Sequence, residues 1–220
     1  MTPDQDSQVR ETKGKGSRRR RQARAIETHA NILQAATELF STLGFEGATV
    51  RQIEEAAQVQ RGLIAYHFGD KEGLWRAVVD RLFAGLKEEI SSHVRVLKDV
   101  APSEASRALL KAFVRYSAAN PQLNRLIMQE SVAPSWRVSY FTREHIRPLQ
   151  DHIGDLLRGG DPSRPRSLDA HFYYMFVGAG AFVFSVEHEC EELFGVNPRT
   201  DDFVERHASL LADFFFPPKG

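Results

Sequence analysis

The sequence predicts an all-α protein, and three observations carry that expectation. Apolar residues recur at steps of three and four along the chain beyond residue 24. No stretch shows the strict alternation of a half-buried strand. Most prolines and glycines fall between the periodic segments, not within them. At 220 residues the chain is long enough for one large domain, or for a small one joined to a medium one. The expected division is a disordered basic tail over 1–24, a compact helical domain over 25–72 and a larger helical domain over 73–220.

Residues 1–24 are polar, charged and nearly free of large apolar groups, the composition of a disordered segment. Lys+Arg and Asp+Glu are both 29, so net charge points to no partner. Its distribution says more. Residues 1–25 hold eight Arg or Lys against three acids, leaving an acidic body behind a basic end. That asymmetry suggests a polyanion contact at one end. The run "RRRRQAR", Arg18 to Arg24, is either a solvated tail or an arm that touches phosphate or the minor groove. The lone cysteine, Cys190, has no intrachain partner, which fits a reducing cytoplasm. There is no signal-peptide core, and the longest apolar run, Met175–Val186, is shorter than the ~20 residues of a membrane span. The expectation is a cytoplasmic protein without a membrane partner.

The first helix begins near Ala25, with Ile26, Ala30, Leu33, Ala36, Phe40 and Leu43 on one face, and Gly44 stops it. Thr49 stands three before Gln52, a capping box for a second, short helix through about Ala57 with Val50, Ile53 and Ala57 inward. After a break at Gln58–Gln60, a third helix is expected over about Arg61 to His67. Gly69-Asp70 ends it, and Asp70 caps a long fourth helix from Lys71. Three helices in under fifty residues, the second and third joined by a tight turn, form the arrangement of a helix-turn-helix DNA reader. This explains the mixed stretch "RGLIAYHFGDKEGLW". One side of the third helix packs, with Phe68 inward; the other meets DNA. Arg61, Tyr66, His67 and Lys71 supply donors where phosphates lie, and Gly62 leaves the backbone bare for close approach. Taken alone, Tyr66 and His67 also read as ordinary helix-end residues.

Gly44-Phe45, Thr49-Val50, Ile53, Ala56-Ala57, Gly62, Tyr66-His67-Phe68, Lys71-Glu72 and Leu74 together resemble the TetR family of transcriptional regulators, over roughly Ala25 to Val79. The resemblance implies a homodimer with an N-terminal DNA reader and a C-terminal ligand-binding and dimerising domain. Most members are repressors released from DNA by a small molecule, and two identical readers related by a two-fold axis imply an inverted-repeat operator. It implies a phosphate contact for Thr49 and a base contact for Arg51. Arg61, Gly62, Leu63 and Ala65 match groove-facing positions; Gln60, Tyr66, His67 and Lys71 match phosphate contacts. Ala65 departs from a usual aromatic, and Gln60 from a usual small capping residue, so the operator sequence is left open.

Beyond Trp75, helical stretches are expected near 71–97, 103–119, 122–132, 136–158, 168–193 and 201–215. Breaks fall at Pro102, Pro121, Pro134, Gly159–Pro165 and Gly195–Pro198, and Pro148 should kink or split its helix. After Ser167 as cap, Phe172, Met175, Phe176, Ala179, Phe182, Val183 and Val186 form a broad apolar face containing the small patch Gly178–Ala181. The last helix offers Phe203, Val204, Leu210, Leu211, Phe214 and Phe215. The resemblance implies that these two helices pair with their copies across a two-fold axis, with Phe172, Ala179, Phe182, Val183, Leu211 and Phe214 in the interface; the other reading is intrachain core. For an effector cavity the candidates mix apolar bulk with a polar handle: Arg125, Met128, Trp136, Tyr140, His145, His171 and Tyr174.

No enzyme signature stands out. "GAGAFV" lacks the third glycine of a dinucleotide loop and follows no strand, and neither G-x-S-x-G nor a phosphate-loop lysine is present. No cofactor is expected. The second reading is a metal- or redox-sensing regulator on the same scaffold. His188 and Glu192 are four apart, His145 and His152 seven apart, and Cys190 is near, but no set converges on a metal.

Overall fold

The computed structural model describes residues 4–96, 101–158 and 169–217, all helix, turn or coil. The chain forms two compact units, Met1–Val78 and Val79–Gly220, so the boundary falls inside the fourth helix and not at residue 72.

Unit one is built from α1 (Asp4–Gly47), α2 (Val50–Ala56), α3 (Leu63–Phe68) and the start of α4 (Lys71–Val96). The backbone of α1 reaches back to Asp4, into the stretch expected to be disordered. That stretch holds many straight-chain helix formers and no proline after Pro3, so nothing in it forbids the helix. Of "RRRRQAR", only Gln22, Ala23 and Arg24 have described side chains, and all three are exposed. Gly44 interrupts α1 as expected, at φ 71°. The buried stripe of α1 is Ile32, Leu33, Ala36, Thr37 and Phe40. Ile26 and Leu43 are exposed, and so is Ala30. The stripe is shorter than the periodicity suggested and lies toward the C-terminal end of α1, where α2 packs on it. Ile53, Ala57, Ile64, Leu74 and Trp75 complete this core.

Unit two continues α4 and adds α5 (Pro102–Ala119), α6 (Pro121–Glu130), α7 (Trp136–Phe141), α8 (Arg147–Arg158), α9 (Ala170–Ser185), α10 (Glu187–Phe194) and α11 (Asp201–Phe215). Pro102 and Pro121 open α5 and α6 at the first turn, where a missing N–H costs nothing. Pro148 does split its helix: a π-helical turn, Thr142–Ile146, separates α7 from α8 just ahead of it. The cap of α9 is Asp169, which accepts from the N–H of His171 and Phe172. Ser167 and the Gly159–Pro165 break lie outside the described residues.

The stretch expected as one helix over 168–193 breaks at Val186. Arg125 explains the break. Its Nε donates to the Ser185 carbonyl at 2.9 Å and its guanidinium pairs with Glu187 at 2.9 Å, while the Glu189 N–H turns to the Val186 carbonyl. Burial works to raise the Glu187 carboxyl, but the hydrogen bond and charge of Arg125 outweigh it and hold it below the ordinary value. The core of unit two joins Leu110, Val114 and Ala118 of α5 to Phe184 of α9 and to Val204, Ala208 and Ala212 of α11.

Candidate nucleic-acid interface and effector cavity

The reader's turn is locked from inside. Thr49 closes the full capping box on α2: its hydroxyl accepts the Gln52 N–H at 3.2 Å, and the Gln52 side chain accepts the Thr49 N–H at 2.9 Å. Gln58 takes a positive φ of 54°. Glu54, buried on α2, then accepts the Gly62 N–H at 2.7 Å across the turn. Gly62 sits at φ 88°, a left-handed conformation, as the N-cap of α3. Glycine is therefore favoured there by the backbone geometry of the turn itself. Glu54 itself was missed, because its spacing on α2 is that of a solvated charge.

This geometry turns Arg61, Ala65 and Tyr66 outward, with Tyr66 80% exposed. Gln60 is exposed, Leu63 half-buried and Thr49 exposed. His67 is half-buried, edge-on to Tyr66 and to His29. Phe68 stacks on His29 at 4.6 Å, so it packs as expected. Arg51 is exposed and donates from Nε to Glu55 at 2.8 Å; this hydrogen bond raises the Arg51 pKa and lowers that of Glu55. Asp70 caps α4 by accepting the Gly73 N–H at 2.7 Å. Gly73 admits no side chain, since a Cβ there would stand 2.1 Å from the Phe68 carbonyl. Lys71 holds its ammonium 4.4 Å above the Phe45 ring.

Unit two contains a cavity of about 110 Å³ between α4, α5, α6, α8 and α9. Its described lining is apolar with a few neutral polar groups, and no charged side chain is among them. Leu86, Leu109, Phe113, Ile127, Phe172 and Phe176 give most of its bulk. The Tyr116 hydroxyl is already committed to the Leu82 carbonyl, and burial pushes its pKa up to about 12. None of the seven sequence candidates lines this cavity. Arg125 is spent on Ser185 and Glu187; Met128, His171 and Tyr174 are exposed. Trp136 and Tyr140 stand on α7, and Tyr140 donates to Asp80 at 2.7 Å. The helical register was off by one: Asn124 and Tyr173 line the cavity where Arg125 and Tyr174 were expected. His145 instead lines a neighbouring cleft, with its Nε2 2.8 Å from Asp80 and its ring stacked on Phe83 at 4.6 Å.

The broad apolar face of α9 proves to be two faces. Phe172, Phe176, Gly180 and Phe184 recur every four residues and turn inward; half-buried Phe172 touches Phe176, Phe215 and Phe216 and lines the cavity. Tyr174, Met175 and Phe182 are exposed, as are Leu210 and Phe214 on α11. Ala179, Val183 and Leu211 are half-buried, and Val183 and Leu211 pack on the core. Among the described residues no group of three His, Cys, Asp or Glu side chains is placed to hold a metal, and Cys190 is buried. No described helix is long and apolar enough to cross a membrane.

A three-helix reader and a helical unit with its own cavity define a class of regulators, and comparison with known proteins gives the family. Residues 32–78 match the bacterial regulatory proteins of the tetR family, and residues 102–214 match the tetracyclin repressor-like C-terminal domain. The chain belongs to the tetR family of DNA-binding transcriptional regulators. It is 32% identical over 143 residues to the HTH-type transcriptional repressor AcnR of Corynebacterium efficiens, an alignment covering 64% of this chain and 71% of that one. To AcnR of Corynebacterium diphtheriae it is 39% identical over 129 residues, covering 58% and 62%. The fold of AibR, solved with isovaleryl coenzyme A and operator DNA, superposes with a TM-score of 0.65 at 17% identity, over 87% of this chain and 100% of that one.

Proposed function

We propose that the protein is a repressor that binds an inverted-repeat operator as a homodimer and leaves it when a small molecule occupies the cavity of unit two. The observation that carries this reading is the outward side of the locked α3, where Arg61 and Tyr66 stand exposed with His67 and Lys71 at the edge. Arg61 has the fork that matches a guanine's two acceptors; Arg51 is the second candidate for a base. Thr49, Gln60, Tyr66, His67 and Lys71 serve phosphates, with Gly62, Leu63 and Ala65 against the groove. The exposed apolar residues of α9 and α11, Phe182 and Phe214 foremost, support pairing of two copies, with Ala179, Val183 and Leu211 behind them. The uncharged cavity supports an effector with an apolar moiety. Its binding favours a spacing of the two readers that no longer fits successive major grooves. AcnR's name as a repressor supports the sign of regulation.

A footprint on the DNA upstream of the gene tests the reading. Two protected half-sites about one helical turn apart, ~34 Å, are expected. Protection of one asymmetric half-site by a monomer contradicts it.

A further inference from the structure

The apolar cavity shares part of its wall with a second space. Phe83 and Leu149 line it and also line a second cleft of about 310 Å³, whose remaining described walls are Lys87, Glu144, His145, Pro148 and His152. The two spaces differ in chemistry. The first has no charged lining; the second brings one ammonium and two imidazoles together with one carboxylate.

The pairing of the charges decides the sign. Glu144 is held by Arg143 at 2.7 Å. Asp80, beside the cleft, accepts from the Tyr140 hydroxyl at 2.7 Å and is 2.8 Å from His145 Nε2, which must donate to an ionised carboxylate. Both carboxylates are thus already met. Lys87 and His152 are exposed and have no ion-pair partner among the described residues. What remains unmet at the cleft is a pair of N–H donors, the Lys87 ammonium and the His152 imidazole.

From this juxtaposition we infer that the effector is an anionic amphiphile: an apolar moiety in the uncharged cavity and a carboxylate or phosphate head between Lys87 and His152. The inference rests on the reading of that cavity as the effector site. The cavity's size bounds the apolar part. At roughly 10–15 Å³ per water-sized group, about 110 Å³ takes roughly seven to eleven such groups, a short chain or a small ring. The stacked Phe83–His145 pair stands where the two spaces adjoin, so the stem of such a ligand would run beside that pair and its head would reach Lys87 and His152. The Lys87 stem adds apolar cover along the way, and its ammonium makes the strongest contact to the head.

Calorimetric titration of the full chain with octanoate, octyl phosphate and 1-octanol tests this, since the three share a tail and differ in the head. At least one anionic probe is expected to bind roughly tenfold tighter than 1-octanol, and the better of the two identifies the head. Lys87→Met and His152→Ala, both at exposed positions, should erase that advantage and leave 1-octanol unchanged. Leu109→Trp, or the milder Ile127→Phe if the first variant does not fold, should weaken all three by filling the cavity. Equal binding of all three probes, each insensitive to Lys87→Met, overturns the anionic head while leaving the cavity as the effector site. Failure of every probe to bind, or binding indifferent to both cavity-filling variants, overturns the cavity reading and this inference together.

Discussion

Glu54 carries more of the reader's geometry than any of its exposed cations. It is a buried carboxylate whose recorded contact is the N–H of a glycine in a left-handed conformation. Glu54→Ala removes that acceptor and leaves a buried polar gap at the turn. Equilibrium urea unfolding should show a loss of about 1–3 kcal/mol, with most of it restored in Glu54→Gln, which keeps an acceptor. A variant as stable as the wild type would mean that the turn holds without it. Tyr116 is the other buried group with a distinct signature. Its pKa rises from 10 to about 12, chiefly by burial, so the folded state keeps its proton longer than the unfolded chain does. Its contribution is complete below pH 10 and is lost as pH climbs through about 12. Melting temperatures across that window should fall more steeply for the wild type than for Tyr116→Phe.

At the scale of the elements, α3 and the start of α4 divide labour, and two substitutions separate their roles. Lys71 lies at the N-terminus of α4, where both a cation and the helix end favour an anion such as a phosphate. Lys71→Ala should weaken binding to operator and random duplex alike and lower the salt slope by about one unit. Arg61→Ala should instead narrow the gap between the two duplexes by roughly 1–3 kcal/mol. If it weakens both equally, base reading passes to Arg51. The elements of the reader were legible in the sequence because local chemistry fixes them: a capping box at Thr49, a glycine stop at Gly44, an aspartate cap at Asp70. The cavity was not legible in the same way. A helical face wider than one stripe has no unique inward side until its neighbours are known; Tyr173 and Asn124 line the cavity, each one position before the expected Tyr174 and Arg125. The break at Val186 was invisible for a related reason. It depends on an arginine some sixty residues earlier in the chain.

For the whole molecule, assembly and DNA reading should fail together. Phe182 and Phe214 are 47% and 70% exposed on α9 and α11. Phe182→Asp or Phe214→Asp places an unpaired charge in the proposed bundle, which is costly there and nearly free on an open surface. Sedimentation should report monomers that keep their helicity and no longer shift operator DNA. A folded dimer in both variants would assign the interface to other helices. Leu211 is a poorer probe, because it packs on the core of its own unit and a charge there unfolds the monomer as well. The most direct test of a sequence-selective regulator is a pair of titrations at several salt concentrations: the full chain against the duplex upstream of its gene, and against a scrambled duplex of equal length and composition. Steep salt dependence is expected for both, with a preference of about a thousandfold or more for the upstream duplex near physiological salt. Equal affinity for the two duplexes at every salt concentration would contradict it.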